Sequence, residues 1–127
     1  MSRPNDKDRG SAIVDFALVA PILIGLALAV LQVILVMHVR TVLTSAAAEG
    51  ARAAALADSN PNAGERRARE IINESIASST VESIEAHPVL KGGLMMMAID
   101  INARLPLLGL LGPTVMRVQG HALQEHV

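Results

Sequence analysis

The sequence of 127 residues contains no cysteine, tryptophan or tyrosine and only one phenylalanine. Without cysteine the chain forms no disulfide, no thiolate metal site and no cysteine nucleophile. Aromatic side chains supply much of the buried area of soluble cores, so their scarcity argues against a large core built from the whole chain. The formal net charge of −1 gives no electrostatic basis for binding nucleic acid.

Aliphatic side chains are abundant instead, and many of them lie in one block. From Phe16 to Met37 there is no formal charge, and Gln32 is the only strongly polar residue. A helix of this length spans about 33 Å, close to the hydrocarbon thickness of a bilayer. The block is too long for the apolar region of a cleaved secretory signal, and no small-residue cleavage site follows Met37. We therefore predict one transmembrane helix that stays in the protein.

Basic residues flank this span on both sides. Arg3, Lys7 and Arg9 precede it, and Arg40 and Arg52 follow it. The positive-inside rule favours a cytoplasmic N-terminus. The bulk of the chain is then expected outside the cytoplasmic membrane.

Two features inside the span concern helix geometry. Pro21 removes a backbone donor and crowds the preceding turn, which predicts a local kink. Gly25 and Ala29 form a pair of small residues four positions apart, which lets two helices approach closely. Such pairs are frequent in alanine-rich segments, so this one alone is weak support for helix packing.

One carboxylate, Asp15, lies at the start of the apolar block. It could simply sit among the lipid headgroups. Alternatively it meets a positive partner, because an intramembrane acid is costly unless it is paired. A cut after Gly10 would create such a partner, since the new α-amino group of Ser11 would be positive and would begin the helix. Asp15 of one copy could then pair with Ser11 of a neighbour.

The stretch that runs from Gly10 through Ser11-Ala12-Ile13-Val14 to Asp15-Phe16 resembles the class III signal of type IV pilins and pseudopilins. In that family a membrane aspartyl peptidase cuts after the glycine, and the acid at the fifth mature position helps subunits to pack. The resemblance implies that Gly10 and Ser11 form a prepilin peptidase cleavage site. It implies roles in processing and assembly for Asp15 and Phe16. The family usually has glutamate where this chain has Asp15, whose arm is shorter.

Four stretches in order resemble a narrower family, the TadE-like proteins of tight-adherence (Flp) pilus systems. They are "GSAIVDFALVAPIL", "HVRTVLTSAAAEGARAAALA", "ARLPLLGLLG" and "VMRVQGHALQE". The resemblance implies a minor pseudopilin in the bacterial cytoplasmic membrane, acting as a structural or assembly component of the pilus. Its implied partners are the lipid bilayer, a prepilin peptidase, other pilin or pseudopilin subunits and the assembly platform. Whether the chain enters the filament stays open.

The helix is predicted to continue beyond Met37, because the following stretch holds good helix formers and no proline. Ala46, Gly50 and Ala54 recur at every fourth position and form a smooth face for packing against another helix or a sheet. Residues 58–64 contain Asn-Pro and Gly and are predicted to form a loop. An amphipathic helix is predicted over 65–78, with residues such as Ser75 on its apolar side and Glu65 on its polar side.

The remaining chain is predicted to form strands. A short strand over 80–87 ends at His87-Pro88, and a turn at 91–93 precedes a half-buried strand over 94–105. The alternation after residue 113 predicts another strand that pairs antiparallel with it. The apolar loop at 106–113 between them either covers the core or touches the bilayer or a partner subunit. The sequence favours neither.

No catalytic pattern is visible in the sequence. The four histidines are scattered without carboxylates at ligand spacing, so the sequence predicts no metal site. Neither a glycine-rich phosphate loop before a helix nor a nucleophile elbow is present. We therefore expect no enzyme and no cofactor. A membrane-anchored enzyme is a further alternative. It would be supported only if substitution of a single histidine or aspartate abolished an activity.

The predicted fold is α+β and pilin-like. A long N-terminal transmembrane helix extends into a small head with one short helix and a two- to three-stranded antiparallel sheet. Residues 1–10 form a cytoplasmic leader, 11–57 the transmembrane and extended helix, and 58–127 the extracytoplasmic head. The alternative function is an unprocessed single-pass membrane protein whose head binds a partner.

Overall fold

The structure, a computed structural model, describes residues 6–56, 60–76, 78–105 and 114–124. In chain order the elements are helix α1 (Asp6–Leu56), helix α2 (Pro61–Ser75), a 3-10 turn (Ser78–Thr80) and strands β1 (Val81–Lys91), β2 (Leu94–Leu105) and β3 (Thr114–Leu123). The three strands form one antiparallel sheet in the order β1-β2-β3. A long apolar N-terminal helix, one short helix and this sheet confirm the predicted α+β, pilin-like fold class.

The chain divides into two compact units, Met1–Leu35 and Val36–Val127, and α1 contributes to both. In the first unit α1 is apolar and runs through Pro21 without interruption. None of its most apolar 18-residue window is buried, and Phe16 is 74% exposed. By length and composition this helix can cross a membrane.

In the second unit α1 becomes part of a protein core. It continues past Met37 as predicted, and its buried residues, apart from one leucine, are alanine or glycine: Leu43, Ala46, Ala47, Gly50, Ala51, Ala54 and Ala55. Small side chains on one face let the helix axis lie close to its neighbours. This part of α1 therefore packs by close approach of backbones rather than by long interdigitating side chains.

Helix α2 begins earlier than predicted. The expected loop over 58–64 is wrong for its second half, because Pro61–Gly64 form the first turn of the helix. The side-chain oxygen of the N-cap Asn60 accepts a hydrogen bond from the Asn62 N–H at 3.0 Å. Proline suits the first helical position because the N–H that it lacks would have no partner within the helix. Residues 58 and 59 lie outside the described part.

The end and the polar face of α2 also differ from expectation. The helix ends at Ser75 rather than at residue 78, and Ser75 is exposed rather than on the apolar side. Glu65 was expected on the solvent face but is half-buried. Its carboxylate accepts a hydrogen bond from the Ala86 N–H of β1 at 3.1 Å. The side chain thus satisfies a backbone donor on a strand at the edge of the sheet.

The β1–β2 hairpin closes at the predicted turn. Gly92 and Gly93 have φ of 59° and 80°, and a two-residue hairpin turn of this kind needs positive φ at both positions. The predicted stop at His87-Pro88 is wrong, because β1 continues through Pro88 to Lys91. An edge strand has a row of backbone groups that face away from the sheet, so it tolerates a proline.

The central strand β2 shows the predicted alternation. Met97, Ile99 and Ile101 are fully buried, whereas Asp100 and Asn102 are half-buried on the other face. Strand β3 pairs antiparallel with β2, as predicted. The core lies between one face of the sheet and the helices, and the opposite face is polar. The loop at 106–113 lies outside the described residues.

Candidate functional site

The residues implied to act in processing lie together near the start of α1. Gly10, Ser11, Asp15 and Phe16 are all helical and all exposed. In an α-helix the Gly10 carbonyl accepts a hydrogen bond from the N–H four residues on. Cleavage after Gly10 therefore requires local unwinding of α1. Glycine eases this step, because it weakens a helix by roughly 0.5–1 kcal/mol relative to alanine.

Asp15 lies one helical turn after Ser11. Side chains in an α-helix tilt toward its N-terminus, so the Asp15 carboxylate is directed toward the turn that holds Ser11. The ion pairs formed among the described residues do not include Asp15. This carboxylate is therefore available to a positive group at the level of Ser11, on the same chain or on a neighbour.

The apolar span presents an uncovered surface. Pro21, Gly25 and Met37 are exposed along α1. A Cβ atom placed on Gly10 or on Gly25 would meet nothing within 4 Å outside its own helix. These two glycines therefore have no packing role within the described part of one chain, and alanine fits at either position.

The small face of α1 meets α2 through a pair of glycines. A Cβ atom on Gly50 would lie 2.8 Å from the carbonyl oxygen of Gly64 and 3.0 Å from Cβ of Ala68. A Cβ atom on Gly64 would in turn lie 2.6 Å from the carbonyl oxygen of Gly50 and 2.7 Å from Cβ of Ala54. Real Cβ atoms do not approach other atoms so closely. The backbones of α1 and α2 are thus in direct contact.

Strand β3 meets α1 in the same way. A Cβ atom on Gly120 would lie 2.5 Å from the carbonyl oxygen of Ala47. Sequence reasoning identified Ala46, Gly50 and Ala54 as a packing face but missed Gly64 and Gly120. For Gly64 a signal was present, since Gly64, Ala68 and Ile72 recur every fourth residue and are buried together. For Gly120 the strand pattern gave none.

The uncovered face of the sheet carries a polar row. Asn102 Nδ2 donates to Ser83 Oγ at 2.9 Å, and Arg117 Nε donates to Asn102 Oδ1 at 3.0 Å. His87 Nε2 lies 3.7 Å from Asp100 Oδ2. Three or more metal-ligating side chains do not converge anywhere in the described ranges. This row links the three strands and does not form a ligand cage.

A shallow depression of about 360 Å³ opens beside the end of α1. Its lining residues are Arg52, Ala55, Leu56, His121, Ala122 and Leu123. It is wide open to solvent, whereas sites that bind small molecules enclose most of their ligand. The depression therefore does not have the form of a small-molecule site.

Most of helix α1 matches a known protein family. Residues 10–52 match the family model described as TadE-like protein. The matched stretch begins at Gly10 and includes the apolar span and most of the small face. No curated protein and no solved structure matches the chain. The match confirms the resemblance predicted from the sequence motifs, and over most of helix α1 the chain is similar to the TadE-like family.

Proposed function

We propose that this chain is a minor pseudopilin of a tight-adherence pilus, anchored by α1 and processed after Gly10. One observation carries the proposal. The match to the TadE-like family begins at Gly10 and includes the part of α1 that is both apolar and exposed. The match supports a component associated with a tight-adherence pilus. The finer role rests on the residues at the start of the helix.

The processing step is a peptide hydrolysis. A prepilin peptidase adds water across the Gly10–Ser11 bond, which leaves a carboxylate on Gly10 and a free amine on Ser11. The amine is protonated at neutral pH and becomes the N-terminus of the shortened helix. Asp15 then supplies the opposite charge one turn away, and Phe16 is the first apolar side chain of the span.

The anchoring step uses the exposed aliphatic surface. Large side chains along the span, such as Ile22 and Leu26, are 70% and 61% exposed within the single chain. Lipid tails or neighbouring helices cover such a surface at little cost, whereas water does not. The N-terminus is cytoplasmic and the head lies outside, with the prepilin peptidase, other subunits and the assembly platform as partners.

The proposed role of the head is structural and not catalytic. Its polar side chains hydrogen-bond to one another across the sheet, as Ser83, Asn102 and Arg117 do. Its core is formed by apolar side chains and backbone contacts between helices and strands. A head of this kind offers a surface to other subunits.

A genetic test addresses the function directly. The gene is deleted in the bacterium that encodes the chain, and surface pili are counted by electron microscopy. We expect pili to be lost on deletion, restored by the wild-type chain and not restored by Gly10→Ala. Ser78→Ala, at an exposed position in the 3-10 turn, is the matched control and should restore them. Unchanged piliation after deletion would overturn the proposal, and full rescue by Gly10→Ala would favour the unprocessed alternative.

A further inference from the structure

A single carboxamide stands in the apolar span. Gln32 is the only strongly polar residue from Phe16 to Met37. The side-chain hydrogen bonds found within the described residues do not include it. Its amide group has two N–H donors and one oxygen acceptor. In hydrocarbon these groups are costly unless they find partners.

The carboxamide of Gln32 does not easily reach water or lipid headgroups at the nearer membrane surface. Gln32 lies about 7.5 Å along the helix axis before Met37. Because helical side chains tilt toward the N-terminus, the carboxamide is directed back toward the middle of the bilayer. A polar group in that position is most readily satisfied by another transmembrane helix.

The same side of α1 is the side that a second helix can approach most closely. At about 100° per residue, Gly25, Ala29 and Gln32 fall within roughly 60° of one another around the helix. Phe16 and Ile34, which are 74% and 56% exposed, lie on the opposite side. Space beside Gly25 is open within the single chain. The carboxamide of Gln32 and the small residues Gly25 and Ala29 therefore lie on the same side of α1.

We propose that two copies of this chain associate within the membrane through the Gln32 side of α1, with their carboxamides hydrogen-bonded to each other. A second copy fits because a carboxamide both donates and accepts, so in two copies related by a two-fold axis each amide donates one N–H to the oxygen of the other. The span contains no charge that would select a charged partner. This inference rests on the membrane anchoring in the proposed function, but not on processing after Gly10.

The test uses the full-length precursor in phosphatidylcholine vesicles. Since the chain has no cysteine, Ser79→Cys on the exposed 3-10 turn carries a single donor or acceptor dye. Energy transfer between copies is measured over a series of protein-to-lipid ratios. We expect the unsubstituted span to associate, and Gln32→Leu to weaken association roughly 3- to 30-fold. Gln32→Asn, which keeps the carboxamide, should retain most of it.

Moving the carboxamide to another position tests which side of α1 forms the contact. In a Gln32→Leu background, Ile34→Gln moves the carboxamide to the opposite side of α1 and should not restore association to the original level. Restoration would overturn the proposed face. Association of Gln32→Leu equal to that of the unsubstituted span, or no energy transfer at any ratio, would overturn the pairing. The fraction of the protein that floats with the vesicles measures membrane anchoring separately. Failure of the chain to insert is therefore distinguished from failure of two inserted copies to pair.

Discussion

At the scale of single residues, stability of the second unit depends on places where a side chain is missing. Gly50 and Gly64 let two helix backbones touch, and Gly120 does the same between a strand and α1. A methyl group at such a position must displace backbone, which is stiffer than a side chain. Overpacking of this kind costs about 1–3 kcal/mol.

We expect Gly64→Ala to lower the free energy of unfolding by about 1–3 kcal/mol. The added methyl group would meet the Gly50 carbonyl oxygen and Cβ of Ala54. Thermal unfolding of the full chain in detergent micelles, followed by circular dichroism, measures the effect. Gly10→Ala is the matched control, because a Cβ there also meets nothing within 4 Å. Equal midpoints for Gly64→Ala and wild type would contradict the close helix contact.

Asn60 provides a second prediction at this scale. Replacing it by alanine removes the hydrogen bond from its side chain to the Asn62 N–H. The expected loss of stability is about 1 kcal/mol. Asn60→Asp retains a capping oxygen and should stay near wild type in the same unfolding measurement. A loss as large for aspartate as for alanine would show that capping is not the cause.

The side chains that the sequence places on a common face are those whose position is decided by their neighbours along the chain. Ala46, Gly50 and Ala54 repeat at helical spacing, so one helix suffices to place them on a common face. Gly64 and Gly120 are different, because their importance arises from elements distant in sequence. Local pattern cannot reveal a backbone contact between α1 and α2 or between α1 and β3.

At the scale of elements, the periodicity of apolar residues predicted whether a segment is a helix or a strand better than it predicted where that element begins and ends. The alternation of β2 and the Lys91-Gly92-Gly93 turn predicted a strand and a tight turn that the structure contains. Two of the errors in element ends fall at prolines. Pro61 follows an N-cap and starts a helix, and Pro88 stands on an edge strand. The role of Pro61 is local and was misinterpreted as a loop signal, whereas the role of Pro88 depends on the edge position of β1 in the sheet.

The hairpin turn yields a prediction for an element. Gly93→Val places a β-branched side chain at φ of 80°, which should destabilise the sheet by about 1–2 kcal/mol. Gly92→Asn should cost less, because asparagine tolerates positive φ and is common in such turns. Unfolding midpoints of the two variants give the comparison. The reverse order would contradict the assigned turn.

At the scale of the whole molecule, the two units have different surfaces and therefore different expected surroundings. The apolar part of α1 has no buried residue in its most apolar window, whereas the second unit has a closed apolar core. Composition and length predicted the apolar part well, since a long uncharged block is visible without any structure. The core of the second unit was less predictable, because α1 contributes mainly alanine and glycine to it.

The proposed orientation rests on the charges around the span and can be measured with single cysteines. In spheroplasts of a host without prepilin peptidase, a membrane-impermeant maleimide should label Ser79→Cys. It should label Lys7→Cys only after the membrane is permeabilised. Both positions are exposed in the structure, so accessibility within the protein does not limit the reaction. Immediate labelling of Lys7→Cys would reverse the proposed orientation.

Processing after Gly10 is the central claim, and the mass and N-terminal sequence of the membrane-extracted chain test it most directly. The chain and a Gly10→Ala control are each expressed with the chain's own prepilin peptidase. The control should fold, because a Cβ at position 10 meets nothing within 4 Å. We predict that the wild-type chain begins at Ser11 and that the control keeps the residues that precede Ser11. A wild-type chain that keeps the residues before Ser11 would contradict the account and would leave Asp15 as a carboxylate at headgroup level.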